Sequence, residues 1–160
     1  MAAPKTLLRS PAATSSLKEL ASGYFTEVYR EGSLQPRILV LVSGKFYYEV
    51  KPRIDLKEYM VIRIEQLNPF PGNQLTKDVD LRNLEKIIWI QEEPKNMGAF
   101  NFVEPKLRAL FKMNINYLGR KASAAPATGV SAQHKQELES IFLQLDQCTR
   151  TNRSNIQMAV

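Results

Sequence analysis

One cysteine (Cys148), one histidine (His134) and one tryptophan (Trp89) are all that this 160-residue chain holds of those three types. A single thiol cannot close an internal disulfide, and no Cys/His group has metal-ligand spacing, so neither a disulfide framework nor a structural zinc site is expected and a reducing compartment is. No apolar run approaches the ~18 residues that span a bilayer, so a membrane partner is not expected either. The G-x-x-x-x-G-K-[ST] phosphate loop is missing, and the lone histidine has no serine or cysteine nucleophile in a motif beside it. His134 falls on the polar side of a predicted helix, which gives it a surface role. Trp89 has apolar neighbours, which makes it core.

What the chain does hold is the material of one ordinary domain: 160 residues, 44% of them apolar, can bury a core. Its 22 basic residues against 16 acidic ones give a formal charge of +6, favouring anionic partners such as phosphates, nucleotides or an acidic protein face. The cations are scattered as "KPR", "EPKLR", "GRK" and "HKQE", so nucleic acid is not indicated. The start, "MAAPKTLLRSPAATSSLKEL", has the Ala/Ser-rich, acid-poor composition of a transit peptide, but Pro4 and Pro11 interrupt it and it reads as an irregular lead-in segment.

From residue 37 the pattern is regular. "RILVLVS" (37–43), "YMVIRI" (59–64) and "KIIWIQ" (86–91) are short, nearly unbroken runs of branched apolar residues, as in strands buried on both faces, and "INYLG" (115–119) is a weaker fourth. "YFTEVYRE" (24–31) reads as an added edge strand. Helical segments are expected at 44–51, at 71–86 with Leu75, Val79 and Leu81 or Leu84 inward, at 98–111 with Pro105 near its start or at a kink, and at 131–145 with Ser131 as cap and Leu138, Ile141, Phe142 and Leu145 as its stripe. The alternation predicts a three-layer α/β/α domain with a mostly parallel sheet. Its expected organisation is a linker and edge segment over 1–36, the domain over 37–145 and a disordered tail over 146–160.

In such a sheet the carboxyl ends of the parallel strands share one edge, where ligands collect. That edge receives Ser43, Gly44 and Lys45, then Glu65 and Gln66, then Glu92, Glu93, Lys95 and Asn96, then Arg120 and Lys121. With Arg63 these form a polar rim for a ligand or an interface. Glu92 and Glu93 are adjacent and point apart in a strand, so they are not an acid/base pair for one substrate; a solvated member of the pair is the bland reading, but both are expected to pair with cations such as Lys45, Arg63 or Arg120 and to leave a net positive pocket for a phosphate-bearing ligand. "SGK" (43–45) offers backbone N–H groups and a cation to a phosphate but also makes a plain turn. No catalytic residue and no metal ligand stands out.

Three long stretches, "VIRIEQLNPFP" (61–71), "WIQEEPKNMGAFNFVEPKLR" (89–108) and "YLGRKASAAPATG" (117–129), resemble the C-terminal domain of the thiamine-dependent dehydrogenase component of the 2-oxoglutarate dehydrogenase complex. "PKTLLRSPAATSSLKEL" (4–20) and "LVLVSGKFYYEV" (39–50) resemble the same family's run into that domain, and the likeness extends over about 4–145. "KTLLR" then looks like an internal linker rather than a transit peptide, while the tail after Leu145 departs from the family and Phe100 stands where relatives often carry another aromatic.

The resemblance implies a transketolase-like C-terminal domain with a structural or regulatory role and no activity alone. The complete enzyme would decarboxylate 2-oxoglutarate on thiamine diphosphate and Mg²⁺, both held by earlier domains, and pass succinyl to a lipoyl arm. Its partners would be the other domains of the component, the dimer mate and the lipoyl succinyltransferase; it would be cytoplasmic in a bacterium and in the mitochondrial matrix in a eukaryote. The alternative is an independent acyl-CoA or phosphate-ligand module using Lys45, Arg63, Lys95, Arg120 and Lys121. A self-sufficient enzyme is the least supported reading, since no thiamine motif is present.

Overall fold

The computed structural model describes residues 5–150. Five strands form one mixed sheet in the order β1-β3-β2-β4-β5: β1 (Val28–Gly32), β2 (Ile38–Ser43), β3 (Tyr59–Ile64), β4 (Lys86–Pro94) and β5 (Ile115–Arg120). β2 runs parallel to both β3 and β4, and β4 parallel to β5, whereas β1 lies antiparallel on β3 at the edge. The chain is thus an α/β domain.

Because successive strand residues face opposite sides, β2 and β4 feed two separate cores. On one side Val40, Val42, Val61, Ile88 and Ile90 meet Phe46, Tyr47 and Val50 of the segment around α2 (Tyr47–Val50), together with Ile141, Phe142 and Leu145 of α5 (Ser131–Arg150). On the other, Leu39, Leu41, Ile62, Ile87 and Trp89 meet Leu75 of α3 (Gly72–Thr76) and Val103, Leu107 and Phe111 of α4 (Phe100–Phe111). Each such aliphatic residue contributes about 1.5–3 kcal/mol through burial.

Three expectations need correction. The helix read over 71–86 is only the turn Gly72–Thr76, because Lys77 is extended and Asp78 takes a left-handed φ of 58°. Val79, Leu81 and Leu84 still pack inward, so their apolar spacing described burial and not helix. The third long strand does not stop at Gln91 but runs to Pro94 through a register shift between Ile90 and Pro94. The last helix continues past 145 to Arg150, with Cys148 against the core, so a tail cannot begin at 146; residues 151–160 lie outside the described residues.

The lead-in segment is separate in character. α1 (Leu17–Ser22) is closed by a capping box, Ser16 accepting from the Glu19 N–H while Glu19 accepts from the Ser16 N–H, yet it contains no buried residue.

Candidate functional site: a charged rim at the sheet edge

The rim is built where β2, β4 and β5 end. Gly44, at φ +64°, lets the chain turn out of β2 and presents Lys45 toward β4. Lys45 Nζ lies 2.5 Å from Glu92 Oε2 and 3.4 Å from Glu49 Oε1. Burial alone would lower the lysine's pKa, but these carboxylates outweigh it and hold the ammonium above its ordinary value. The second oxygen of Glu92 is 3.9 Å from His134 Nε2 on α5. Glu93 is exposed and makes no ion pair among the described residues, so of the two glutamates expected to pair only Glu92 does.

Arg120, at the end of β5, is similarly occupied. Its Nε is 2.7 Å from Glu137 Oε2 and its Nη1 donates to the Pro126 carbonyl at 3.3 Å, with only 13% of the side chain exposed. Glu137 also accepts from the Thr128 hydroxyl at 2.5 Å and from Gln133, and these contacts with the Arg120 charge hold its carboxyl below the usual range. Asn96 clamps the loop after β5 by donating to the Ser123 carbonyl and accepting from the Ser123 N–H, both at 3.0 Å. Lys95 stands 5.7 Å from the Tyr117 ring centroid, and Lys121 is exposed and unpaired among the described residues. A cavity of about 400 Å³ lies between Glu92, Glu93, Arg120, Thr128 and His134.

Arg63 does not join this group. It sits on β3 with its guanidinium 4.4 Å from the Tyr29 ring centroid and 4.6 Å from that of Tyr47, donates to Tyr48 Oη at 2.7 Å, and has Nε 2.7 Å from Glu65 Oε1 without hydrogen-bond alignment. Beside it Glu31 accepts from the Tyr47 hydroxyl at 2.5 Å and pairs with Lys51 at 2.6 Å. These three tyrosines, Arg63 and Lys51 line a cavity of about 690 Å³ walled on one side by Ala12–Ser15 and Glu19. Ser43, the remaining rim residue, ends β2 without capping the turn that follows.

Sequence reasoning missed the residue that holds the rim's backbone. Gln91 is buried, accepts at Oε1 from Trp89 Nε1 (2.9 Å) and the Phe100 N–H (3.1 Å), and donates from Nε2 to the carbonyls of Glu93, Pro94 and Met97. Its only signal was one amide inside an apolar run. Glu137 was missed too, although its spacing from His134 places both on one face of α5.

Chemically this edge is a brace. Its two best-buried cations are matched by carboxylates, and the matching ties three strand ends to α5 and to the loop before it. An α/β domain whose rim is braced by ion pairs is the class that fold and site define.

The comparisons with known proteins supply the family. A family model described as 2-oxoglutarate dehydrogenase C-terminal matches residues 14–145, and the chain belongs to that family. It is 37% identical over 162 residues to the 2-oxoglutarate dehydrogenase E1 component of Bacillus licheniformis and 37% identical over 162 to that of Bacillus subtilis, in each case across 93% of this chain and 17% of the relative. The 2-oxoadipate dehydrogenase complex component E1 of Rattus norvegicus is 36% identical over 152 residues, 89% of this chain and 16% of that protein. The chain therefore spans about a sixth of the curated relatives it matches.

Proposed function

We propose that this chain is the C-terminal structural domain of a 2-oxoglutarate dehydrogenase E1 component, arranged as in transketolase-like enzymes, and that it performs no chemistry alone. The family match over residues 14–145 carries this reading. In it, residues 1–36 lead into the domain and 37–145 form its body, with the helix extension beyond. The rim residues Ser43, Lys45, Glu92, Glu93, Lys95, Asn96, Arg120 and Lys121 face other parts of the enzyme or its dimer mate. The complete enzyme would oxidatively decarboxylate 2-oxoglutarate and hand succinyl to a lipoyl-bearing succinyltransferase, in the cytoplasm of a bacterium or the mitochondrial matrix of a eukaryote.

The residues present do not fit thiamine diphosphate and Mg²⁺. Lys45 and Arg120, the best-buried cations of the rim, already hold Glu92 and Glu137, and among the described residues no three His, Cys, Asp or Glu side chains converge as a metal site. We assign both groups to upstream domains. The test exchanges the matching segment of the Bacillus subtilis E1 component for this chain. The exchanged enzyme should assemble and reduce ferricyanide with 2-oxoglutarate, while the isolated chain should not; activity of the isolated chain, or a chimera that never assembles, overturns the reading.

A second reading rests on the cavity at Arg63. Three tyrosine rings around a guanidinium in about 690 Å³ suit a flat aromatic ring, such as the base of an acyl-CoA or nucleotide. Calorimetric titration of acetyl-CoA into the chain and into Arg63→Met decides it: equal heats from both sink the idea.

A further inference from the structure

The lead-in segment carries apolar side chains that the domain itself leaves uncovered. Leu17 and Leu20 lie one turn apart on α1, so they share a face, and are 85% and 73% exposed; Tyr24 at 91% and Phe25 at 65% follow directly, and Tyr29 lies in the outer strand. The side-chain hydrogen bonds of this arm, Thr14 to the Pro11 carbonyl, Ser16 with Glu19 and Ser22 to the Lys18 carbonyl, all stay within it. Large apolar residues exposed singly are ordinary, but a contiguous set of this kind marks a contact surface. Leu20, Tyr24, Phe25 and Tyr29 also line a groove of about 440 Å³ between the arm and the β1 edge.

We propose that α1, Tyr24, Phe25 and the β1 edge form the docking surface for the upstream part of an E1 component, which presents apolar side chains to the groove. This rests on the domain reading above. The occupant follows from the relatives: the chain matches 17% of each, and the family model is that of their C-terminal part, so the bulk of such a protein reaches this domain through the arm.

Hydrogen exchange on the Bacillus subtilis chimera tests this. The amides of residues 17–25 should exchange at least about tenfold more slowly in the assembled chimera than in the free chain. Leu17→Asp with Leu20→Asp should abolish that protection and lower the chimera's melting temperature while leaving the free chain's unchanged. Leu143→Asp, an equally polar change at an exposed position of α5, should alter neither. Equal exchange in an assembled, active chimera, or a double variant indistinguishable from the parent, overturns the proposal while leaving the domain reading intact. Protection that appears in the free chain with rising concentration assigns the surface to a second copy and overturns it too. A chimera that does not assemble overturns the domain reading and this inference together.

Discussion

Leucines occur in both the central sheet and the N-terminal arm, yet Leu39 and Leu41 of β2 are fully buried whereas Leu17 and Leu20 of α1 stand in solvent. Residue type is the same; the difference is supply of a partner surface. β2 has a strand on each side and a layer on each face, while α1 is held by its own capping box and touches little. An apolar residue thus reports a need for cover, and topology decides whether this domain or another protein provides it.

The largest expected effect contrasts the two regions directly. Leu41→Ala should destabilise the free chain by about 2–5 kcal/mol in urea unfolding, through lost burial and a cavity between β2 and α4, whereas Leu17→Ala should stay within about 0.5 kcal/mol. A Leu17→Ala loss matching that of Leu41→Ala would show the arm to be part of the core after all. Next comes Gln91→Met, close in size but unable to hydrogen-bond. It strands the Trp89 indole N–H, the Phe100 N–H and three carbonyls, and should cost about 2 kcal/mol or more by the same measurement.

Smaller effects are expected at the rim. Arg120→Met removes the better-buried partner of Glu137 and should cost about 1–2 kcal/mol, while Glu92→Gln, at a more solvated pair where Lys45 keeps Glu49, should cost about 1 kcal/mol or less. The reverse order would mean that solvent reaches Arg120 more freely than Lys45. The smallest concerns Tyr117, whose hydroxyl donates to the carbonyls of Glu93 and Arg120. Burial first, then the nearby Glu93 charge, pushes its pKa up to about 12 from the ordinary 10. The folded state then holds a proton that the unfolded chain has released, so its contribution is complete below about pH 10 and is lost as pH rises toward 12. Tyrosinate absorbance of the parent minus Tyr117→Phe should therefore titrate late; a midpoint near 10 would refute the assignment.

Much of the fold was legible because its signals were continuous. The runs 37–43, 59–64 and 86–91 could be strands buried on both faces and little else, and the stripe from Leu138 to Leu145 fixed the face of the last helix. The segment 71–86 misled because apolar spacing fits any chain lying over a core, and the left-handed turn at Asp78 has no unique letter. The rim was legible as a place and not as a set of pairs. Strand ends bring Lys45 and Glu92 within one edge, but Glu137 arrives from a helix after a long loop, and no local pattern announces that it meets Arg120. Arg63 was read into the same group because sequence gives the strand end but not the distance across the sheet.

Gly98 lies at φ +65°, and a Cβ there would come within 3.0 Å of both head atoms of the Gln91 amide. The amide occupies the volume that any side chain at 98 would require, and it spends that volume on five hydrogen bonds. Anyone diversifying this domain therefore meets positions 91 and 98 as a single choice. Alanine at 98 would take a left-handed φ and displace the amide by a few tenths of an ångström, and a smaller residue at 91 would leave the loop before α4 without its anchor. Alternatives at this corner are therefore sought by varying the two together.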